Sequence, residues 1–462
     1  MQKTIPARLL PLWLAAAAFS PAGVSAQDGA SGQPAVQISG ETRWRLEGLD
    51  NQFRANGSGG DQLLAIRTLV KAQADLDRVE LVVELQDSRG YFSGDQTPLS
   101  SSLINPLDIL QAYAGLRLPG LLGENSRSTL RIGRQTVSIG SKRQIERPDF
   151  ANVIKSYSGA YFLAESAGGD EFHALLVVPL DRRPGERERI DRNALEMDSE
   201  EWNRRIWGAH LRLSDALPGL APGLWAEAYV YGLSESDSEE RPTPNRHYAT
   251  PGFRIHRAPQ PGRLDLDLEG AYRFGTRRAT SAASDIADLD VSATMLFAKL
   301  GYTFDGPWQP NLALQFYHAS GDGDPTDGEY GQYERLFGSR RSDLNNTSIH
   351  GPLTPANLNA AGARLELQPA SNLDARLTYS AAFLDSARDS WVVAGLQDPT
   401  GQSGRFVGHA LDSRLRYDVM PGTLGLELGV SALIYGEFAR RVAGGPSGDA
   451  ALYGYTQLTF RF

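Results

Sequence analysis

Apolar and polar side chains alternate along most of the chain with a period of two. In the stretch 36–47, Val36, Ile38, Thr42, Trp44 and Leu46 fall on one side, and Gln37, Ser39, Glu41, Arg43, Arg45 and Glu47 on the other. A strand sends successive side chains to opposite faces, so such a stretch has one oily and one charged face. The same holds for Leu264, Leu266, Leu268, Tyr272 and Phe274 against Asp265, Asp267, Glu269 and Arg273. It holds again for Leu373, Ala375, Leu377 and Tyr379 against Asp374, Arg376 and Thr378, and for Leu411, Leu415 and Tyr417 against Asp412, Arg414 and Arg416. The pattern predicts about eighteen strands: 36–48, 62–75, 79–92, 108–118, 128–136, 156–163, 170–179, 205–213, 223–232, 247–256, 264–275, 289–304, 311–320, 357–368, 373–385, 409–418, 423–436 and 451–462. Pro251 lies inside one of them and brings no ladder donor.

The connections sort by parity. Every second one is mostly a brief turn, such as Leu76-Asp77-Arg78, Pro369 to Asn372 or Val419 to Gly422. The others are mostly long and polar, among them 137–155, 180–204, 321–356 and 386–408. A soluble sandwich has no reason to segregate its loops in this way. An antiparallel barrel in an outer membrane has short periplasmic turns and long outer loops, with an even number of strands. Closure is compulsory in lipid, because an open sheet edge leaves unpaired N–H and C=O groups at several kcal/mol each. The chain also ends on an alternating strand whose Leu458, Phe460 and terminal Phe462 share a face. That ending resembles the signal read by the barrel-assembly machinery, which is the expected partner in folding. The expected fold class is therefore all-β, a transmembrane antiparallel barrel of about 18 strands. Its oily face meets outer-membrane lipid, and aromatics such as Trp44, Trp207, Tyr272 and Phe460 suit girdles at the two interfaces.

Composition narrows the alternatives. The 462 residues contain no cysteine, which removes disulfides, thiolate metal sites and cysteine catalysis. No stretch after the first segment holds the ~20 uncharged apolar residues that a spanning helix requires. A formal net charge of -9 argues against a nucleic-acid binder. Residues 1–26 read as a secretory signal: Lys3 and Arg8 start it, Leu9 to Phe19 form its apolar centre, and Val24-Ser25-Ala26 is a small-residue cleavage site. The barrel domain is then 27–462.

If the oily face meets lipid, the charged face lines the lumen. Arg43, Arg45, Arg67, Lys71, Arg117, Arg131, Arg254, Arg273, Lys299, Arg364, Arg376, Arg414, Arg416 and Arg461 are the expected inward cations. Arg134 joins them if Gly133 marks a bulge that shifts the phase. Rings of Arg and Lys select anions, and arginine keeps its charge at any relevant pH. Inward acids such as Glu41, Glu80, Glu84, Asp265, Asp267 and Glu427 are nearly as numerous. Two roles stay open for each arginine: a place in a neutral ladder with a carboxylate, or a contact for a passing anion.

These residues resemble a family. Asp108-Ile109-Leu110-Gln111-Ala112-Tyr113, Leu130-Arg131-Ile132-Gly133-Arg134-Gln135, Gly140, Arg143 and Asn152 look like the amino-terminal half of the alginate-export barrels. Gly270 to Gly275, Phe316 to Asp322 and His350-Gly351 look like their carboxyl-terminal half. The resemblance implies a monomeric eighteen-stranded barrel whose electropositive lumen passes an anionic uronate polysaccharide outward, with Arg131, Arg134, Arg254 and Arg364 as lumen contacts. Some relatives plug the pore with a long periplasmic turn; the turn at Val419 to Gly422 is too short for that.

Other constellations carry less. Asp322, Asp324 and Asp327 cluster in one outer loop and are weak calcium candidates; the spacing lacks a closing bidentate Glu, and solvated turn chemistry is the favoured reading. The loop from Asp181 to Trp202 alternates arginines with acids and reads as an exposed outer loop. Seven histidines occur without a nucleophile elbow or a metalloprotease setting. The expected function is a passive channel for an anionic polysaccharide of the alginate kind, with a porin for small organic anions as the alternative and an outer-membrane hydrolase behind both. No cofactor and no nucleic-acid partner are expected.

Overall fold

The computed structural model describes residues 35–462, apart from 58 and 240; the signal segment lies outside the described residues. Twenty extended segments form, of which Ser199–Glu200 and Glu329–Tyr330 span two residues each. The remaining eighteen are the barrel strands: β1 Ala35–Asp50, β2 Asp61–Leu76, β3 Val79–Tyr91, β4 Asn105–Arg117, β5 Arg127–Gln135, β6 Tyr157–Glu165, β7 Glu171–Asp181, β8 Arg204–Leu213, β9 Trp225–Glu235, β10 His247–Arg257, β11 Arg263–Arg277, β12 Leu289–Thr303, β13 Asn311–Ala319, β14 Leu358–Ala370, β15 Leu373–Phe383, β16 Phe406–Met420, β17 Leu424–Tyr435 and β18 Ala450–Arg461. Each pairs antiparallel with its sequence neighbours, and β18 closes onto β1 from Glu41↔Arg461 to Asp50↔Leu452. Every strand expected from alternation is present.

Alternation sets the two faces. On β1, Arg43, Arg45 and Glu47 are buried while Trp44 and Leu46 are more than half exposed on the outside. On β2, Leu63, Ala65, Arg67 and Leu69 are buried inward. Ile132, Leu176, Leu314 and Val430 are likewise exposed, giving the wall an apolar exterior that lipid would cover. The brief turns are built by residues suited to positive φ: Asp77 at 40° and Gly422 at 78°. Pro251 has a visible consequence, because the β10–β11 ladder is interrupted between Ala249↔Phe274 and Gly252↔Ala271 while its register is kept.

The inside of the barrel is divided into two zones. Toward the long-loop end it is an apolar core. Phe53, Val137, Ile139, Trp391 and Phe438 from the connections pack there against wall residues such as Tyr231, Leu433 and Tyr435. Toward the short-turn end the wall is lined by charged side chains. The connections 136–156 and 320–357 therefore do not extend outward as the exposed loops their polarity suggested. They fold into the barrel and pair with each other: Phe337 N donates to Gln144 O at 2.9 Å and Ser339 N to Lys142 O at 3.0 Å.

Candidate functional site

The candidate site is the charged zone of the lumen, and it starts from how the two inward connections are held. Arg43 donates to the carbonyls of Asp149 at 2.6 Å and Ala151 at 2.9 Å. Arg67 donates to the same two carbonyls and pairs with Glu41 at 2.5 Å. Arg45 pairs with Glu47 and donates to Phe150 O, with its guanidinium 4.0 Å above the Phe150 ring. Asn152, fully buried, donates to Leu103 O at 2.7 Å and accepts from Arg43. Arg143 is the hub of the far wall. It reaches Glu269 at 2.6 Å, Asp267 at 2.9 Å and Asp343 at 2.9 Å. Burial alone would lower its pKa; the three carboxylates outweigh that and hold it well above the usual arginine range.

Most of the inward cations named from the sequence are engaged in the wall. Arg254 pairs with Asp267 at 2.7 Å and Glu227 at 3.1 Å. Arg273 lies over the rings of Tyr248 and Tyr333 and donates to Thr250 Oγ1 and Glu334 O. Lys299 pairs with Asp265 at 3.4 Å, Arg131 with Glu80 at 3.0 Å, and Arg117 with Asp75 and Glu80. Arg416 pairs with Glu427 at 2.7 Å, Arg414 with Asp374 at 3.3 Å and Arg461 with Glu41 at 3.7 Å. Lys71 stands in register with Ser39 and Glu84. Arg364 donates to the carbonyls of Ser342 and Asp343, and Arg376 to that of Ser342 at 3.4 Å.

One expectation is corrected. The β4–β5 register runs unshifted through Tyr113↔Gly133, so Arg134 shares the face of Ile132 and not that of Arg131. Gly133 takes a φ of 132° without inserting a residue, and Arg134 is tied to Asp108 and Glu200 beneath an outer loop. The weak calcium candidates cap turns of their own loop. Asp324 caps Thr326, Asp327 accepts from Glu329 N, and Asp322 accepts from Asp324 N. Among the described residues no group of acids or histidines gathers with metal-holding geometry.

The open space forms a series of cavities. The one at the short-turn end holds about 590 Å³ and is lined by six arginines and five carboxylates, a nearly neutral set. The next holds about 330 Å³ and shares Asp149, Phe150, Arg341 and Arg416 with the first. Eight cations line it: Arg376, Arg414 and Arg416 from the wall, and Lys155, Arg182, Arg335, Arg340 and Arg341 from the connections. Its only carboxylates are Glu146 and Asp149. A third, of about 190 Å³, continues from it past Lys155 and Arg182. Burial, then Arg335, Arg182 and Arg340, hold the Lys155 ammonium well below the usual lysine range. Burial likewise pushes the Glu146 carboxyl up.

Five of those eight cations were missed as lumen candidates because they lie between strands, where alternation gives no face. A signal was present nonetheless. Val137, Ile139, Ile145, Phe150, Val153 and Ile154 fall within one connection, and a loop in water has no use for six apolar residues at such density.

A closed antiparallel barrel with a charged, cavity-bearing interior and an apolar exterior defines the class of outer-membrane channels. Similar solved structures agree. The barrel superposes on Pseudomonas aeruginosa OccK2 (OpdF) in complex with glucuronate at 12% identity and a TM-score of 0.57, covering 92% of this chain and 98% of that one. A BenF-like porin from Pseudomonas fluorescens Pf-5 matches at 10% identity and 0.58, covering 92% and 98%. Acinetobacter baumannii OccAB1 matches at 11% and 0.56, covering 92% and 96%. At such identities the likeness speaks for the fold. A search of curated proteins finds no match. The family profile described as alginate export matches residues 35–451, and the chain belongs to that family. It is an outer-membrane barrel.

Proposed function

We propose that this channel conducts anionic uronate saccharide passively through the cavity series, with the eight-cation cavity as its selective segment. The supporting observation is the imbalance there, eight cations against two carboxylates, next to a vestibule that is nearly neutral. A cationic constriction in a low-dielectric wall attracts anions and repels cations. Membership of the alginate export family favours a polyuronate chain as the cargo. Such a chain would pass in extended form, exchanging one carboxylate for the next along the arginines.

A second reading, a porin for small organic anions, is favoured by the inward connections. They leave separate cavities of about 590, 330 and 190 Å³. One solved neighbour was crystallised in complex with glucuronate, a single uronate. Reversal potentials across a planar bilayer test what the two readings share: a cation-selective pore sinks both. Oligouronates and monomeric glucuronate then separate them. Long-lived block or threading by oligomers supports the polymer, and glucuronate current without oligomer block supports the small anion.

A further inference from the structure

Three arginines of the selective cavity have carboxylate partners, while Arg376 of the wall donates to the Ser342 carbonyl and has no ion pair among the described residues. Arg416 and Arg341 share Glu427, and Arg414 has Asp374. The loop-borne cations Lys155, Arg182, Arg335 and Arg340 have none. Among the described residues none of the four has a carboxylate within ion-pair distance, and all line one cavity of about 330 Å³. Their remaining contacts are carbonyls: Lys155 Nζ donates to Phe337 O, Arg335 to Gly338 O, and Arg340 to Gly351 O and Leu353 O. Each keeps donors free for the cavity, since a lysine has three and an arginine five.

Resting on the channel reading above, we propose that these four residues form a discrete binding site for a doubly charged oxyanion group. Occupancy of that site would fasten the connection carrying Lys155 to the one carrying Arg335 and Arg340. The chemistry is that of a dicarboxylate or of a sulfate-like ester, because four uncompensated cations favour two negative charges over one. Two carboxylates line the cavity: Asp149 is exposed and within ion-pair distance of none of the four, and Glu146 leaves its Oε2 without a partner, while burial favours its neutral form. They therefore do little to offset the four. Three of the cations sit on the two inward connections and the fourth, Arg182, on the connection after β7. Empty, the site makes those segments repel; filled, it joins all three. The site thus links solute binding to the order of the constriction.

The test uses the full barrel in detergent micelles. Its thermal midpoint is measured in sodium sulfate and sodium succinate against sodium acetate at equal ionic strength. The same series is run on Lys155→Met/Arg335→Met. The proposal expects both dianions to raise the wild-type midpoint above the acetate value, and the increment to vanish in the variant. It also expects the variant in acetate to be as stable as wild type or more so, because two repelling charges are gone. A general salting effect acts equally on both proteins, so an increment that survives in the variant overturns the proposal, as does equal stability in all three salts. A rise with both is the expected result; a rise with sulfate alone overturns the dicarboxylate assignment and leaves a site for compact tetrahedral anions, and a rise with succinate alone overturns the sulfate-like one. Reversal potential on the variant keeps the two readings apart. Arg376, Arg414 and Arg416 remain, so a pore still anion-selective but without the dianion increment sustains both. A cation-selective wild type defeats the channel reading whatever the midpoints show.

Discussion

Arg43 and Arg67 stand opposite one another in the β1–β2 register, and both donate to the carbonyl oxygens of Asp149 and Ala151. Two guanidinium groups in such proximity repel, and among the described residues the one carboxylate within ion-pair distance of either is Glu41, on Arg67. Their positive charge is committed to one stretch of backbone, so a pair that alternation marks as pore-lining works as a clamp on the inward connection.

Removing the clamp should open the channel. Arg43→Met/Arg67→Met releases the Asp149 and Ala151 carbonyls of 136–156 and leaves Glu41 only its longer contact to Arg461 at 3.7 Å. Loss of one partner from a buried ionic set costs about 3–5 kcal/mol, so the thermal midpoint should fall. Single-channel conductance in potassium chloride should rise and become noisier. Unchanged conductance would mean the connection is held by its apolar residues alone.

Selectivity should depend on pH through Lys155. Burial, then Arg335, Arg182 and Arg340, depress its pKa, whereas the arginines around it stay charged. The sign follows for a base with a lowered folded pKa: its charge is present at low pH and is lost as pH rises, well before the usual lysine value of about 10.4. Anion preference should therefore decline as pH is raised below that value. Over the same window stability should rise, because the folded state prefers the neutral amine. Reversal potentials across the pH series should show the decline in wild type and a flat profile in Lys155→Arg.

A second titration acts on stability. His350 is almost fully buried, stacked on Tyr453 at 5.0 Å and edge-on to Phe53. Burial, then Arg54 and Arg340, push its pKa down to about 3. The unfolded chain takes up the proton near pH 6.5 and the folded chain does not, so stability falls as pH drops from there toward 3. The slope can reach about 1.4 kcal/mol per pH unit. Denaturant midpoints at neutral and mildly acid pH should show the loss in wild type and a smaller one in His350→Phe. An equal slope in the variant would place the titrating group elsewhere.

The wall was legible and the filling was not, for a physical reason. A strand that parts lipid from a charged interior must alternate, so Arg43 beside Trp44 and Asp267 beside Leu268 announce their faces. Asn152 and Arg340 obey no such period. Asn152 is set by the distant carbonyls of Ile66, Arg89 and Leu103, and Arg340 by the Gly351 and Leu353 carbonyls of its own folded-in connection. Gly133 shows the limit within a strand as well. A glycine there is consistent with a bulge, but it relieves a different crowding, since a Cβ would lie 2.4 Å from Ala112 O. The register runs straight through, and Arg134 lands on the outer face.

The last contrast separates arginines that alternation cannot tell apart. Arg131 pairs with Glu80 and lines a separate cavity of about 400 Å³ that also carries Glu165 and Glu171. Arg376 stands in register with Glu366 and Arg414 but forms no ion pair among the described residues, and it faces the eight-cation cavity. Removing a paired charge from a balanced wall alters the field along the path little, because Glu80 keeps Arg117 as a partner at 3.7 Å. Removing an unpaired charge from the constriction acts directly on the passing ion, where low dielectric strengthens each interaction. Arg376→Ser should therefore lower the anion-to-cation permeability ratio, and Arg131→Ala should leave it close to wild type. Measured together in one potassium chloride gradient, equal losses in the two variants would show that the whole wall sets selectivity, not the constriction.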